Sequence, residues 1–298
     1  MGTFSIKDLE HLSGIKAHTI RIWEQRYELI QPKRTGTNIR FYDDNDLKLI
    51  LNVSLLKENG FKISKISLMN EGDIQREVLR LTEISLRYPE QIHALTICMV
   101  DLDEDRFERL MSTNIQKLGF EKTMLNIIYP FLSKIGILWQ TGAINPAQEH
   151  FISNLVRQKL IVAIDNQYVS SAVKSKKYIL FLPEGELHEM SLLFADYVIK
   201  ARQNRSIYLG QSLPMVDLEE LCKIHKPDFI ITVITSTPGP SHIQTYVNTL
   251  GAKFPDSSIL LSGYQVIGQD LQLPENVSIF NRIDELVKFV EENKKEVV

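Results

Sequence analysis

The first sixty positions alternate helical patterns with one loop. Apolar residues recur there at intervals of three and four, which is the period of an amphipathic helix. This pattern predicts a helix over residues 5–12, a turn at Ser13-Gly14 and a second helix over residues 16–27. Residues 29–42 contain proline, glycine and asparagine and therefore predict a loop or hairpin. A longer helix follows from Asp43 or Asp44 to Asn59, and a short one begins near Ser64.

From residue 73 to 168 every segment keeps the helical period. The pattern breaks at residues 87–89, 101–105, 118–119 and 141–146. Short connections between helices of this length are typical of a bundle, here four helices after a linking segment.

From residue 176 onward short apolar runs alternate with amphipathic helices. The predicted strands cover residues 177–182, 206–210, 228–234, 257–262 and 277–280. The predicted helices cover residues 187–202, 216–225, 241–250 and 284–295. Strands that alternate with helices indicate a parallel, doubly wound sheet of the Rossmann-like kind.

These patterns predict a multidomain α and α/β protein. We name the predicted domains the head (residues 1–72, a winged helix-turn-helix), the bundle (residues 73–172) and the α/β module (residues 173–298).

Charge divides the chain in the same way. The net charge is −3, yet residues 1–70 carry eleven Lys and Arg against eight Asp and Glu, so the remainder is acidic. A basic head on an acidic body confines any contact with nucleic acid to the head. The two cysteines, Cys98 and Cys222, lie far apart and form no Cys-x-x-Cys motif, so we expect both to be buried and inert. No apolar run is long enough to span a bilayer, and we expect a cytoplasmic protein.

Two short helices joined by a tight turn form a helix-turn-helix, whose second helix enters the major groove of DNA. The polar face of that helix and the loop after it carry cations and hydrogen-bonding groups suited to phosphates and base edges. The candidate DNA-binding residues are Lys16, His18, Thr19, Arg21, Arg26, Arg34 and Arg40. From composition alone, a charged face that contacts only solvent is about as well supported as a DNA-binding face.

The run from Thr19 to Ile30, followed by Pro32, Arg40-Phe41-Tyr42 and Asp46-Leu47, resembles the MerR-family DNA-binding domain. Members of that family bind near-palindromic promoter sites as dimers. The resemblance implies that His18 and Arg21 lie on the recognition helix, that Arg40 and Tyr42 belong to the wing, and that Trp23 and Phe41 belong to the core. The lack of a cysteine cluster excludes the metal-sensing branch of the family.

The loop after the first strand of the α/β module contains His188, with Glu186 two residues before it. A carboxylate that holds one ring nitrogen is the usual partner of a metal-binding histidine. A histidine in such a loop is more often structural, but the neighbouring acid favours a metal ligand. In an open α/β sheet, ligands bind at the carboxyl ends of the strands, which is where this loop lies.

The same loop resembles the Asp-x-His-x-x-Gly signature of cobalamin-binding domains, with Glu186 in place of the aspartate and Ser191 in place of the glycine. The resemblance implies that His188 binds cobalt from below. It also places Thr235-Ser236 and Ser262-Gly263 at the later cofactor-binding turns. The change to Ser191 would crowd the approach of helix and cofactor.

A second motif lies in the bundle, where Trp139 is followed after nine residues by Glu149-His150. This spacing resembles the photoreceptor repressors of the CarH/LitR family, in which a helical bundle covers the upper face of adenosylcobalamin. That resemblance implies that Trp139, Glu149 and His150 contact the upper axial group. The residue after the tryptophan in those photoreceptors is a histidine that captures cobalt after photolysis, whereas this chain has Gln140.

The leading hypothesis is a transcriptional regulator, most simply a repressor, that binds operator DNA as a homo-oligomer and senses adenosylcobalamin with light as its signal. Because no long heptad helix follows the head, we expect the effector region to assemble the dimer or tetramer. Three alternatives stay open: a cobalamin sensor that ignores light, a degenerate regulator without a corrinoid, and a corrinoid enzyme module. The head argues against the last, and no catalytic motif stands out, so we predict that the chain is not an enzyme.

Overall fold

The computed structural model describes residues 3–34, 38–84, 88–140, 144–169, 175–238 and 242–293. The chain divides into two compact units, Met1–Val156 and Arg157–Val298. Within the described residues, no helix combines the length and apolar character needed to cross a membrane. The division into three domains stays a prediction, since the first unit contains the head together with most of the bundle.

Among its described residues, the head contains four helices and a two-stranded antiparallel wing. Its elements are α1 (Ile6–Ser13), α2 (Ala17–Tyr27), β1 (Lys33–Arg34), β2 (Arg40–Phe41), α3 (Asp44–Glu58) and α4 (Ile63–Ile66). Ser5 and Asp43 cap α1 and α3, and in each case an acid three residues later accepts a hydrogen bond from the backbone of the cap. Capping boxes of this kind satisfy two amide groups that a helix start leaves free, so the helix starts are set by local sequence.

Tyr42, at the end of the wing, is buried. Its side chain is completely buried, and its hydroxyl donates a hydrogen bond to Glu24 of α2. Two backbone hydrogen bonds to Phe4, of 2.8 and 2.9 Å, draw Tyr42 into the core of the head. Tyr42 therefore belongs to the core of the head, and its contact with DNA stays a prediction. Trp23 is also buried, and Phe41 is half-buried.

The helical region that follows contains α5 (Glu71–Ile84), α6 (Tyr88–Asp101), α7 (Glu104–Leu118), α8 (Phe120–Thr123), a π-helical turn (Met124–Ile128), α9 (Tyr129–Gln140) and α10 (Pro146–Asp165). The π-helical turn was not predicted. Every residue of α6 from Glu90 to Val100 is buried. A helix buried on all sides is the centre of its unit, and α3 of the head packs directly against it.

The second unit carries a five-stranded parallel sheet. Its elements are β3 (Lys177–Pro183), α11 (Met190–Ala201), β4 (Arg205–Leu213), α12 (Met215–His225), β5 (Phe229–Val233), α13 (Ile243–Lys253), β6 (Ser258–Ser262), β7 (Val277–Ile279) and α14 (Ile283–Glu292). The strand order is β4-β3-β5-β6-β7. All residues of β5, and all of β3 except Lys177, are buried, as expected for strands covered on both faces. This order reverses direction between β3 and β5, and such a switch point is where doubly wound sheets bind ligands.

Candidate functional site

The exposed face of the head gathers cations from three elements. His18 and Arg21 are exposed on α2, and Arg34 and Arg40 are exposed on the wing. Arg21, Arg34 and Arg40 line one cleft of about 370 Å³. Positive side chains from a recognition helix and a wing around a common cleft can contact the DNA backbone on both sides of a groove.

The remaining predicted DNA contacts differ in their exposure and in the partners that they have within the chain. Lys16 is exposed, but its ammonium group forms a 3.0 Å ion pair with Glu10 of α1. Thr19 is half-buried, whereas Arg26 is exposed with its guanidinium 5.6 Å from the centre of the Tyr27 ring. Arg34 donates a 2.6 Å hydrogen bond to the side chain of Asn38, which links the two sides of the wing.

Lys7 was missed by the sequence reasoning. It belongs to the first turn of α1, yet it lines the same cleft as Arg21 and the wing arginines. The first helix of a helix-turn-helix crosses the DNA backbone, so an exposed lysine there is positioned to contact a phosphate. Its place among polar residues of α1 could have suggested this, but only the fold brings it next to Arg21.

At the carboxyl edge of the sheet, Glu186 joins the loops that follow β3 and β5. Its side chain is completely buried. One carboxylate oxygen accepts hydrogen bonds from the amides of Thr235 and Ser236, at 2.8 and 2.6 Å. The other accepts hydrogen bonds from the amides of Leu187 and His188, at 3.0 and 3.1 Å. The carboxylate thus holds together two loops that are far apart in sequence, at the switch point of the sheet.

The electrostatics of Glu186 follow from these contacts. Burial by itself would raise the pKa of a carboxyl group, but the amide of Ser236, the ring of His188 and further backbone amides stabilise the charged form. Their combined effect lowers the pKa of Glu186 from 4.5 to about 2. The group is therefore an ionised acceptor at neutral pH.

His188 is held by this carboxylate through one ring nitrogen. Its Nδ1 lies 2.5 Å from Oε1 of Glu186, while 63% of the side chain is exposed. An ionised carboxylate accepts a hydrogen bond from Nδ1–H, and this tautomer leaves the lone pair of Nε2 available for a metal. A single oriented imidazole at this edge has the chemistry of a ligand for a transition metal such as cobalt.

Glu189, the residue after His188, is also held in place by hydrogen bonds. The sequence alone did not identify it. Glu189 is buried and accepts a 2.5 Å hydrogen bond from Nε of Arg157 and a 3.0 Å hydrogen bond from the hydroxyl of Tyr208. Burial and this carboxylate raise the pKa of Tyr208. Both sides of His188 are therefore held by buried acids, which limits the movement of the loop.

Gly263 lies where the loops after β5 and β6 make their closest approach. Its φ is +108°, and a Cβ there would lie 2.7 Å from both the carbonyl carbon and the amide nitrogen of Ile234. Only glycine accepts that conformation and that contact. The neighbouring Ser262 donates a 3.1 Å hydrogen bond from its hydroxyl to the carbonyl of Phe280, so its side chain is engaged with the sheet.

The predicted motif of the bundle is described only in part. Trp139 and Gln140 are the last residues of α9, but their side chains lie outside the described part of the structure. Glu149 and His150 lie in the first turns of α10 and contact each other, with His150 Nδ1 2.9 Å from Glu149 Oε2. His150 is 73% exposed, and the hydroxyl of Ser153 donates to the same glutamate.

Both cysteines are buried, as expected. Burial raises the pKa of the Cys98 thiol to about 12 and that of the Cys222 thiol to about 11. Burial therefore favours the protonated form of both thiols at neutral pH, which disfavours reactivity and metal binding.

Comparisons with known families match two parts of the chain. Residues 4–72 match the family described as MerR HTH family regulatory protein. Residues 91–163 match the family described as B12 binding domain. The chain therefore combines a MerR-type DNA-binding domain with a B12-binding domain.

Two curated relatives from Myxococcus xanthus span most of the chain. One is the HTH-type transcriptional repressor CarH, 25% identical over 76% of this chain and 77% of that protein. The other is the HTH-type transcriptional repressor CarA, 26% identical over 82% of this chain and 80% of that protein. Among solved structures, the monomethylamine corrinoid protein of Methanosarcina barkeri aligns over 72% of this chain and 96% of its own, with 11% identity and a TM-score of 0.38.

Proposed function

We propose that this chain, a cobalamin-binding regulator of the MerR type, represses transcription in the cytoplasm by binding operator DNA as a homo-oligomer when adenosylcobalamin is bound. The observation that carries this proposal is the buried, ionised Glu186, which orients an exposed His188 at the switch point of a parallel sheet. The chain also has a basic cleft on a helix-turn-helix. The names of the two Myxococcus xanthus relatives support repression as the direction of control.

The residues divide into three roles. His188 supplies the nitrogen that binds cobalt, and Glu186 fixes its ring and tautomer. Thr235, Ser236 and Gly263 shape the cofactor-binding edge of the sheet, and Ser262 supports it through its bond to the backbone of Phe280. Trp139, Glu149 and His150 would cover the face of the cofactor opposite His188. When bound, the cofactor supplies a cobalt–carbon bond that light can break.

The proposed oligomeric state follows from the symmetry of the operator DNA. A helix-turn-helix that reads a near-palindromic site does so as a dimer at least. We propose that cofactor binding favours a dimer or tetramer, and that loss of the upper axial group reverses this by changing the packing around Trp139. Such a switch requires the two states to interact differently with the cofactor.

A second candidate is a cobalamin sensor that does not respond to light, and Gln140 favours it. An amide side chain is a poor ligand for cobalt compared with an imidazole. Residue 140 therefore offers no strong replacement ligand after the upper axial group is lost.

The DNA-binding assignment predicts different losses for two arginines. Arg21→Ala should weaken operator binding and reduce discrimination between operator and random DNA by about 1–3 kcal/mol, if the side chain reaches a base edge. Arg40→Ala should weaken binding to both DNAs alike and lower the salt dependence by about one phosphate contact. Fluorescence anisotropy at several salt concentrations measures both effects.

The matched control for these variants is Arg80→Ala, which removes an arginine that pairs with Glu77 on α5, outside the cleft. It should bind operator DNA as the wild type does. Wild-type binding by both cleft variants would contradict the assignment.

Reconstitution with adenosylcobalamin in darkness, followed by green light, tests the effector. We expect a bound corrinoid whose absorption spectrum changes on illumination, with release of operator DNA in the same samples. Because residue 140 is glutamine, the spectrum after illumination should lack the signature of two nitrogen ligands unless His150 moves in. Unchanged DNA binding after complete photolysis would instead support the light-independent sensor, and a two-nitrogen spectrum that survives His150→Ala would refute the role of Gln140.

A further inference from the structure

Helix α2 of the head exposes two side chains, Ile22 and Gln25, to which the proposed function gives no role. An α-helix turns once in about 3.6 residues, so residues three, four and seven positions apart lie on one face. His18, Ile22 and Gln25 have that spacing, and all three are exposed. The opposite face of α2 carries the buried Ile20 and Trp23. The stripe from His18 to Gln25 therefore points away from the core of the head.

Ile22 is the large apolar side chain of this stripe. It is 41% exposed, whereas Ile20 and Trp23 of the same helix are buried. A single exposed isoleucine is ordinary on a protein surface, and what distinguishes Ile22 is its place on the outward face of the recognition helix. Ile22 therefore offers a branched hydrocarbon side chain to whatever lies against that face.

Gln25 offers an amide that the chain itself does not use. Among the residues that the structure describes, this amide has no hydrogen-bond partner. Glu24 next to it is half-buried and accepts a hydrogen bond from the hydroxyl of Tyr42. A carboxamide has an acceptor oxygen and an NH₂ donor side by side, so it can form two hydrogen bonds with one partner. Gln25 is therefore available for such a paired contact.

The charge around the stripe suits a partner made of DNA. Arg21 and Arg26 are exposed on α2, and Lys7 lines the same cleft as Arg21. The single acid of α2, Glu24, is engaged with Tyr42, so no exposed carboxylate of this helix repels phosphates. Contacts to phosphates fix a protein on DNA but carry no direct sequence information. Discrimination between base pairs therefore needs further side chains on the groove-facing side of the helix.

The major groove offers chemical partners that match an isoleucine and a glutamine. Thymine presents its C5 methyl group there, and adenine presents N7 as an acceptor beside the N6 amino group as a donor. A G·C pair has no methyl group in the groove. Side chains three residues apart on a helix have Cβ atoms about 5–6 Å apart, and successive bases are about 3.4 Å apart. Ile22 and Gln25 can therefore reach the same base pair or two adjacent ones.

We propose that Ile22 and Gln25 are base-reading residues of α2 and that together they select A·T pairs. Ile22 packs against the C5 methyl group of a thymine, and Gln25 forms two hydrogen bonds with N7 and N6 of an adenine in the same or the adjacent base pair. The inference rests on the DNA-binding role of the head and adds which base pairs the recognition helix selects. Neither residue was among the candidate DNA contacts predicted from the sequence.

Selection from a pool of random-sequence duplexes supplies the DNA for the test. The full chain is used with adenosylcobalamin in darkness and without it. In the selected duplex, each thymine is replaced in turn by uracil, which lacks only the methyl group, and each adenine by 7-deazaadenine, which lacks only N7. For the wild type, uracil at one position of each half-site should weaken binding about 4-fold. At the same or the adjacent pair, 7-deazaadenine should weaken it about 3–10-fold. Fluorescence anisotropy measures both losses.

Each variant should lose the response to one base analogue. Ile22→Ala should bind the thymine and uracil duplexes alike, and Gln25→Ala should bind the adenine and 7-deazaadenine duplexes alike. Gln25→Ala should also bind the selected duplex about 5–100-fold more weakly than the wild type. The salt dependence of binding should stay that of the wild type, because neither side chain contacts a phosphate. A purely structural defect would instead weaken binding to all duplexes equally and leave both analogue effects in place.

Leu68→Ala and Gln75→Ala are the matched controls. Both residues are exposed, beyond the end of α4 and on α5, and neither lines the basic cleft. Both variants should keep the wild-type affinity and both analogue effects. Analogue effects that are absent in the wild type, or unchanged in Ile22→Ala and Gln25→Ala, would overturn the inference while DNA binding stands. A chain that selects no duplex in either state would overturn the proposed function as well.

Discussion

Replacing His188 by alanine is expected to abolish corrinoid binding or to weaken it more than any other single change in the chain. The imidazole is the one proposed protein ligand of cobalt, and its ring is held by a buried carboxylate at 2.5 Å. Glu186→Ala should weaken binding less, by about 10–100-fold, because it removes the partner that orients the ligand rather than the ligand itself. Equilibrium binding followed by absorption spectroscopy measures both losses.

His225→Ala is the matched control, since this exposed histidine ends α12 at the opposite, amino edge of the sheet. It should leave both affinity and spectrum unchanged. A bound cobalamin whose spectrum is the same in His188→Ala and in the wild type would disprove the ligand role.

Replacing Gly263 by alanine is expected to cost the second unit about 3 kcal/mol or more of its free energy of unfolding. The new Cβ would collide with the backbone of Ile234, which cannot move away because its amide donates a 2.7 Å hydrogen bond to the carbonyl of Ser262. The left-handed conformation adds a further cost for any residue with a side chain. Urea denaturation followed by circular dichroism measures the loss.

Gly268→Ala separates the cost of the steric collision with Ile234 from the cost of the left-handed backbone conformation. Gly268 also has a positive φ, of +74°, but a Cβ there would meet nothing within 4 Å. Its replacement should cost only about 1–2 kcal/mol. Equal losses for the two variants would show that the contact with Ile234 is not what requires glycine at residue 263.

Local periodicity was enough to predict most elements of this fold and their order, although not the π-helical turn. The head, the run of helices and the alternating strands and helices follow from spacings of two to four residues, and the capping boxes at Ser5 and Asp43 set two of the helix starts. The pairing of Glu186 with His188 was also visible, because the two residues lie in one loop, and the structure places them in hydrogen-bonding contact.

Contacts between distant segments were decided only by the tertiary structure. Thr235 and Ser236 reach Glu186 across 49 and 50 residues because the loops after β3 and β5 meet at the switch point of the sheet. No sequence spacing encodes that meeting. The chain pattern likewise could not show that Lys7 joins Arg21 in one cleft.

Burial is the other property that the sequence left open. The family resemblance placed Tyr42 in the wing, and only the structure shows that pairing with Phe4 directs its ring into the core. Local sequence determined which residue types were available for chemistry, and long-range packing decided which of them face solvent, a ligand or the core.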